Sequence, residues 1–349
     1  MNRISEIKSP ERLPAELSKK RWDSIAKPLG SFGLLEDFVR KIASIQGTPD
    51  VDISKRAVVV MCADNGVVSE GVTQTGCDVT AKSTVAIAGG RSNINALANT
   101  YGAEVFAVDV GIKSDVKSPH VINRKISYGT QNIAEKPAMS TAQAIQAVRT
   151  GMDIVRELKS KGFKIIVTGE MGIGNTTTAS TLSAVLLGEP VEAVTGRGAG
   201  LTAESLERKI SVIKRALVVN KPDKNEPLEL LAKVGGYDIA GMTGLFLGGA
   251  YYGVPVVIDG VISAVSAVIA CRMNPLCVDY MLAGHVSAEP AGKKLLESLG
   301  LKAVINAGLR LGEGTGGIML LPLLDGALSL YRNAHKFAEI GIERYVELK

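Results

Sequence analysis

Four short apolar runs in this chain end in the same way. Ala57 to Ala63 runs into Asp64-Asn65-Gly66, and Val105 to Val108 into Asp109-Val110-Gly111. Ile165 to Thr168 runs into Gly169-Glu170, and Val254 to Ile258 into Asp259-Gly260. Continuous rather than alternating hydrophobicity marks strands buried on both faces. The helical segments between them make crossovers, which join parallel strands and cover both faces of a sheet. The expected fold class is therefore α/β, a Rossmann-like parallel sheet flanked by helices. In an open sheet of this kind ligands bind outside the carboxyl ends of the strands, where these Asp, Glu and Gly residues collect. Each group taken singly reads equally well as an ordinary turn; the recurrence is what points to a site built from several loops.

Composition narrows the function classes. The chain has 349 residues, 46% hydrophobic but only 4% aromatic, with 38 glycines, which suits aliphatic buried strands and tight turns in one large or two modest domains. The net charge of +5 is spread without a basic block or interleaved aromatics, so no nucleic-acid face is expected. The most apolar region, Ile239 to Ala270, is broken by Pro255 and Asp259 and punctuated by Gly244, Gly248, Gly249 and Gly253. That excludes an uninterrupted membrane span of roughly 20 residues and predicts a packed helix, a strand over Val254 to Ile258, and a second helix from Val261.

Met1 to Arg40 lacks the apolar core of a signal peptide, and the expectation is an intracellular, cytoplasmic protein with its four cysteines as reduced thiols. The three histidines lie far apart, and Cys271 and Cys277 lack the short gap of a zinc half-site, so no metal is expected. Leu34, Leu35, Phe38, Val39 and Ile42 recur at helical spacing, and Pro322 to Tyr345 reads as helix too. Residues 1–55 and 319–349 are expected to form a small helical domain beside a large catalytic unit of residues 56–318.

Three segments carry chemistry. Gly169-Glu170-Met171-Gly172-Ile173-Gly174-Asn175-Thr176-Thr177-Thr178 follows a strand and opens a helix from about Thr176 to Leu187. Glycines there let the backbone approach a phosphate, and the helix N-terminus supplies donors and positive dipole. Thr177 stands where a dinucleotide fingerprint has its third glycine, and a ligand-free helix cap fits equally. Thr195-Gly196-Arg197-Gly198-Ala199-Gly200 precedes a helix carrying Lys209, a second phosphate candidate or a solvated lysine. Gly312-Glu313-Gly314-Thr315-Gly316 lays a single carboxylate among glycines. Screened from water in a pocket, it can take a proton from a nucleophile near physiological pH; in an open turn it is merely exposed. His285, after Met281 to Gly284, reads as a hydrogen-bonded supporting residue rather than a base.

These segments, together with Lys27-Pro-Leu-Gly-Ser-Phe-Gly-Leu-Leu-Glu36, Ala63 to Val67, Glu70-Gly71-Val72, Gly235-Gly236 and Gly284-His285-Val286-Ser287-Ala288-Glu289, resemble the nicotinate-nucleotide:dimethylbenzimidazole phosphoribosyltransferases of cobalamin lower-ligand synthesis. The resemblance runs in order through nearly the whole chain. It implies transfer of a phosphoribosyl group from nicotinate mononucleotide to an aromatic base, with no cofactor. Glu313 matches the general base and Glu170 a second active-site carboxylate. Gly172, Ile173, Gly174, Asn175, Lys209 and Ser287 match the phosphate site, and Thr75, Ser83 and Leu311 the acceptor pocket. It also implies a homodimer, or in paired relatives a heterodimer with a paralogue.

The chain departs from the family at Asn65, where many members carry His, and at Thr75 and Ser83, which stand for an acceptor-pocket Ser and Gln. Purine or phenolic acceptors therefore stay open beside benzimidazoles. A dinucleotide-dependent oxidoreductase is the other reading of Gly172 to Gly174.

Overall fold

A computed structural model of the chain describes residues 2–346. The apolar runs form one parallel sheet of six strands: β1 (Arg56–Ala63), β2 (Ala103–Gly111), β3 (Ile122–Asn123), β4 (Ile165–Met171), β5 (Val256–Ile258) and β6 (Met281–Ala283). Their order across the sheet is β3-β2-β1-β4-β5-β6. The chain leaves β1 towards one edge and returns to β4 on the other side. The topological switch point therefore lies between the carboxyl ends of β1 and β4, where such sheets bind ligands.

The helices that matter here are α1 (Arg12–Ser24), α2 (Leu34–Gln46), α3 (Asp78–Ala88), α4 (Asn93–Tyr101), α5 (Thr141–Ser160), α6 (Asn175–Leu187), α7 (Ala203–Asn220), α8 (Tyr237–Tyr252), α9 (Val261–Met273), α10 (Thr315–Ile318) and α11 (Leu320–Asn333). Helix α5 starts where Ser140 and Gln143 exchange hydrogen bonds, Gln143 N to Ser140 Oγ at 3.2 Å and Ser140 N to Gln143 Oε1 at 2.9 Å, the reciprocal cap that a Ser-x-x-Gln sequence encodes.

Successive residues of β1 face opposite sides. Val59 and Met61 join a core beneath α5 and α8, whereas Val58, Val60 and Cys62 join one shared with Trp22, Ile42 and Leu324 of the terminal helices. Glycines in α8 have a packing reason. A Cβ on Gly151 of α5 would lie 2.0 Å from Gly241 O, and one on Gly244 would lie 2.0 Å from Val148 O, so the two backbones touch. This explains the punctuated apolar stretch. Among the described residues no helix is long and apolar enough to cross a membrane.

The chain's two ends meet. Trp22 is fully buried with its ring 5.0 Å from that of Tyr331, and Ile25 forms an isolated bridge with Lys336. Lys27 and Glu36 of the Lys27-to-Glu36 motif form a shielded ion pair at 2.6 Å. The helical reading of Pro322 to Tyr345 runs too long: α11 stops at Asn333, Ala334 turns to extended backbone, and only Phe337–Glu339 makes a further helical turn. Pairing of the extended segment with Ile25 stands in for the missing helix. Met1 and residues 347–349 of the expected terminal domain lie outside the described residues.

Candidate active site

A cavity of about 310 Å³ opens at the carboxyl edge of the sheet. Its walls come from the loop after β4, the 72–75 loop, the 197–201 turn, the loops after β5 and β6, and the 309–316 segment.

Glu313 reaches this cavity from an unusual turn. Gly312, Glu313 and Gly314 all have left-handed backbone, with φ of 92°, 59° and 90°. For a residue with a Cβ that conformation costs about 1–3 kcal/mol and persists only where the surroundings enforce it. They do so here. A Cβ on Gly169 would lie 2.6 Å from Glu313 O, so the turn rests directly on β4. Thr315 Oγ1 donates to Gly312 O at 2.7 Å, and the Glu313 side chain, 9% exposed, accepts from Ile94 N at 3.3 Å and from Asn93 Nδ2 at 3.5 Å. The acid thus sits at the amino end of α4, where donors and dipole suit a negative charge.

Glu170, the last residue but one of β4, lines the same cavity. Asn175 Nδ2 donates both to Glu170 Oε2 and, at 3.0 Å, to Asp238 Oδ2. Burial pushes the Glu170 carboxyl up to about 8, with Asp238, Asp259 and Glu313 adding negative charge and the Asn175 hydrogen bond opposing. Burial likewise pushes Asp238 up to about 6 and raises Asp64. Asn65 accepts from Thr178 Oγ1 at 2.8 Å, and its Oδ1 and Asp238 Oδ1 both crowd the place where a Cβ on Gly236 would sit.

The expected phosphate residues surround the start of α6. Gly174, with φ of 92°, is its N-cap and offers no side-chain cap, leaving that end of the helix open to a ligand. Gly174, Asn175 and Thr176 line the cavity, as do Ile173 and Ser287. Two of the expected backbone donors are engaged elsewhere: Ile173 N donates to Thr80 Oγ1 at 3.1 Å, and Asn175 N closes the turn on Gly172 O at 3.1 Å. Gly172 sits behind the wall, a Cβ there meeting Ala63 O at 2.4 Å.

Lys209 is 1% exposed and also lies just behind the lining. Its Nζ donates to Thr176 Oγ1 at 3.0 Å and Gly196 O at 3.2 Å, which ties α7 to both Gly-rich turns. Burial pulls this ammonium down to about 8, partly offset by Glu289.

Thr75 and Leu311 line the cavity mouth. Ser83 does not, because α3 turns Thr80 and Thr84 inward and leaves Ser83 half-buried to one side. Sequence reasoning passed over Gln74, which lines the mouth and donates to Gly200 O, and the α4 amide that holds Glu313. Neither carries a local pattern that reports its partner. His285 is 3% exposed, with Nε2 3.6 Å from Asp259 Oδ1.

A family model described as phosphoribosyltransferase matches residues 7–342. A nicotinate-nucleotide–dimethylbenzimidazole phosphoribosyltransferase of Acetivibrio thermocellus is 46% identical over 332 residues, 95% of each chain. The chain belongs to this phosphoribosyltransferase family. It is an enzyme, a pentosyltransferase of the nicotinate-nucleotide–dimethylbenzimidazole type. The phosphoribosyltransferase of the same description from Ruminiclostridium cellulolyticum is 43% identical, covering 99% of this chain and 98% of the relative. A crystal structure of CobT from Thermus thermophilus superposes with a TM-score of 0.90 at 36% identity, over 95% of this chain and all of that one.

Proposed function

We propose that this phosphoribosyltransferase moves the 5-phosphoribosyl group of nicotinate mononucleotide to a lower-ligand base, dimethylbenzimidazole or a related ring, with Glu313 as general base. The observation that carries the reading is the convergence of Glu313, Glu170 and the uncapped α6 N-terminus on one cavity, with Lys209 beneath it. The open helix end and Ser287 suit the donor's 5′-phosphate, with the Lys209 ammonium adding positive charge from below. Thr75 and Leu311, joined by Gln74, face the acceptor ring.

The chemistry needs little apparatus. A ring nitrogen of the acceptor attacks C1′, the C1′–N bond to nicotinate breaks, and its electron pair returns to the pyridine nitrogen, so the leaving atom requires no proton. Glu313 takes the proton from the other acceptor nitrogen. Attack opposite the leaving group turns a β-linked donor into an α-riboside phosphate. Holding both reactants in line supplies much of the acceleration. The same reading has the enzyme work as a homodimer, which its mass in solution tests.

Purified enzyme is expected to release nicotinate only when an acceptor is present. A panel of benzimidazoles, purines and phenols, with products weighed by mass spectrometry, tests class and acceptor together. No release with any member would sink the proposal.

A further inference from the structure

One side chain hydrogen-bonds the left-handed turn that carries Glu313 at two places. Asp259 directly follows β5 and is 3% exposed. Its Oδ2 accepts from Gly314 N at 3.3 Å and its Oδ1 from Gly317 N at 2.8 Å. One carboxylate therefore spans the residue after Glu313 and the first turn of α10.

The clamp is itself fixed to the sheet. Asp259 N donates to Ser263 Oγ at 3.2 Å, Ser263 Oγ and Thr168 Oγ1 are 2.6 Å apart, and Thr168 Oγ1 donates to Val257 O at 2.9 Å. His285 blocks the remaining side. Its ring occupies the space beside Gly316, where a Cβ would lie 2.1 Å from Nε2. With Gly169 under the Glu313 carbonyl, the turn is gripped through β4, β5 and the loop after β6.

We propose that Asp259 is a positioning residue that acts through Glu313, holding the turn where the Glu313 carboxylate meets the acceptor's proton. This rests on the reading of Glu313 as the base. The grip needs two acceptor oxygens, because two N–H groups point at them. An amide at position 259 keeps one oxygen and sets an NH₂ group against an N–H, so Asp259→Asn turns one contact from attractive to repulsive.

The test is a double-mutant cycle on nicotinate release with saturating acceptor. Asp259→Asn is expected to lower kcat by about 10- to 100-fold, the effect of a misplacement on the order of 1 Å, while KM for nicotinate mononucleotide stays within about two-fold. Combined with Glu313→Gln it should be no slower than Glu313→Gln alone, since a clamp has nothing left to position. Losses that multiply would overturn the proposal and make Asp259 a substrate contact. Hydrogen exchange of the native enzyme gives a readout that does not depend on a variant's folding: the Gly314 and Gly317 amides should be protected like those of β4. Exchange at the rate of an open loop would overturn the clamp. Wild-type turnover in Glu313→Gln would refute the base instead, and the exchange result would still stand.

Discussion

The 312–316 turn and the 72–76 loop stand on the same cavity and are built in opposite ways. In the turn, Glu313, Gly314, Thr315 and Gly316 are buried and tied to Asp259, Ile94 and the β4 backbone. In the loop, Gln74, Thr75 and Gly76 are exposed, tied by Thr73 Oγ1 donating to Thr75 O at 2.8 Å and by Gln74 donating to Gly200 O. Moving the turn means moving the sheet edge, whereas moving the loop disturbs little else. On the proposed reading, the packed end of the sheet fixes the reaction, and the choice of acceptor is left to a loosely tied rim.

Glu313→Gln attacks the fixed side most directly. It keeps an acceptor for Ile94 N and removes the proton acceptor, so turnover is expected to fall by about 10²- to 10⁴-fold with an unchanged circular dichroism spectrum. Single-turnover nicotinate release at the wild-type rate would break the comparison.

Lys209→Met comes next. Losing a buried charge from beside the proposed phosphate site should raise KM for nicotinate mononucleotide by about 10- to 100-fold, the weight of a charge-assisted hydrogen bond, and leave kcat less affected. The ammonium is held down to about 8 by burial. It is charged below that pH and neutral above it, so kcat/KM of the native enzyme should fall as pH rises through about 8. Steady-state kinetics across pH 6 to 9.5 should show this limb in the native enzyme and not in the variant.

The contrast also explains what could be read in advance. Buried strands announce themselves as apolar runs, and a parallel sheet forces the residues after each run to one edge, so Asp64, Glu170, Asp259 and the start of α6 were legible. Glu313 stood out as a lone acid among glycines, a pattern that fits a pocket or an open turn alike, and the buried turn with three left-handed residues decides for the pocket. What could not be read were pairings across long separations. Ile94 and Glu313 are 219 residues apart, and Asp259 and Gly317 are 58 apart; no local pattern links either pair. Ser83 lies off the cavity for another reason. Its place on α3 is set by which helix face meets the sheet, and Thr80 and Thr84 take that face through their own buried hydrogen bonds.

Glu170→Gln sharpens the fixed side through stability. The folded state holds the Glu170 proton up to about 8, against 4.5 for an ordinary glutamate. Between those values the unfolded chain releases a proton that the folded chain keeps, so this group's contribution to stability falls as pH rises. Gln keeps an acceptor for Asn175 and does not titrate. The variant's Tm should therefore gain on the native enzyme between about pH 4.5 and 8 and run parallel to it below, each kcal/mol relieved raising Tm by about 1–2 °C. A gain that shrinks with rising pH would mean that Glu170 is not held protonated.

The smallest effect belongs to the rim. Thr75→Val exchanges a hydroxyl for a methyl of similar size at the exposed cavity mouth. Because neither the sheet nor the Glu313 turn leans on this residue, kcat at saturating acceptor and KM for nicotinate mononucleotide should both stay within about two-fold. The acceptor ranking should move instead. Rings with a polar group facing the rim lose a partner and alkylated benzimidazoles gain apolar contact, so the ratio of kcat/KM between a phenol or purine and dimethylbenzimidazole should shift on the order of 10-fold or less. Competition between two acceptors in one vessel, with product masses compared, measures that ratio directly. A fall in kcat comparable to that of Glu313→Gln would place Thr75 in the machinery and erase the division between turn and rim. A changed ratio at constant kcat confines specificity to the exposed loop, where single substitutions can retune the acceptor without disturbing the end of the sheet.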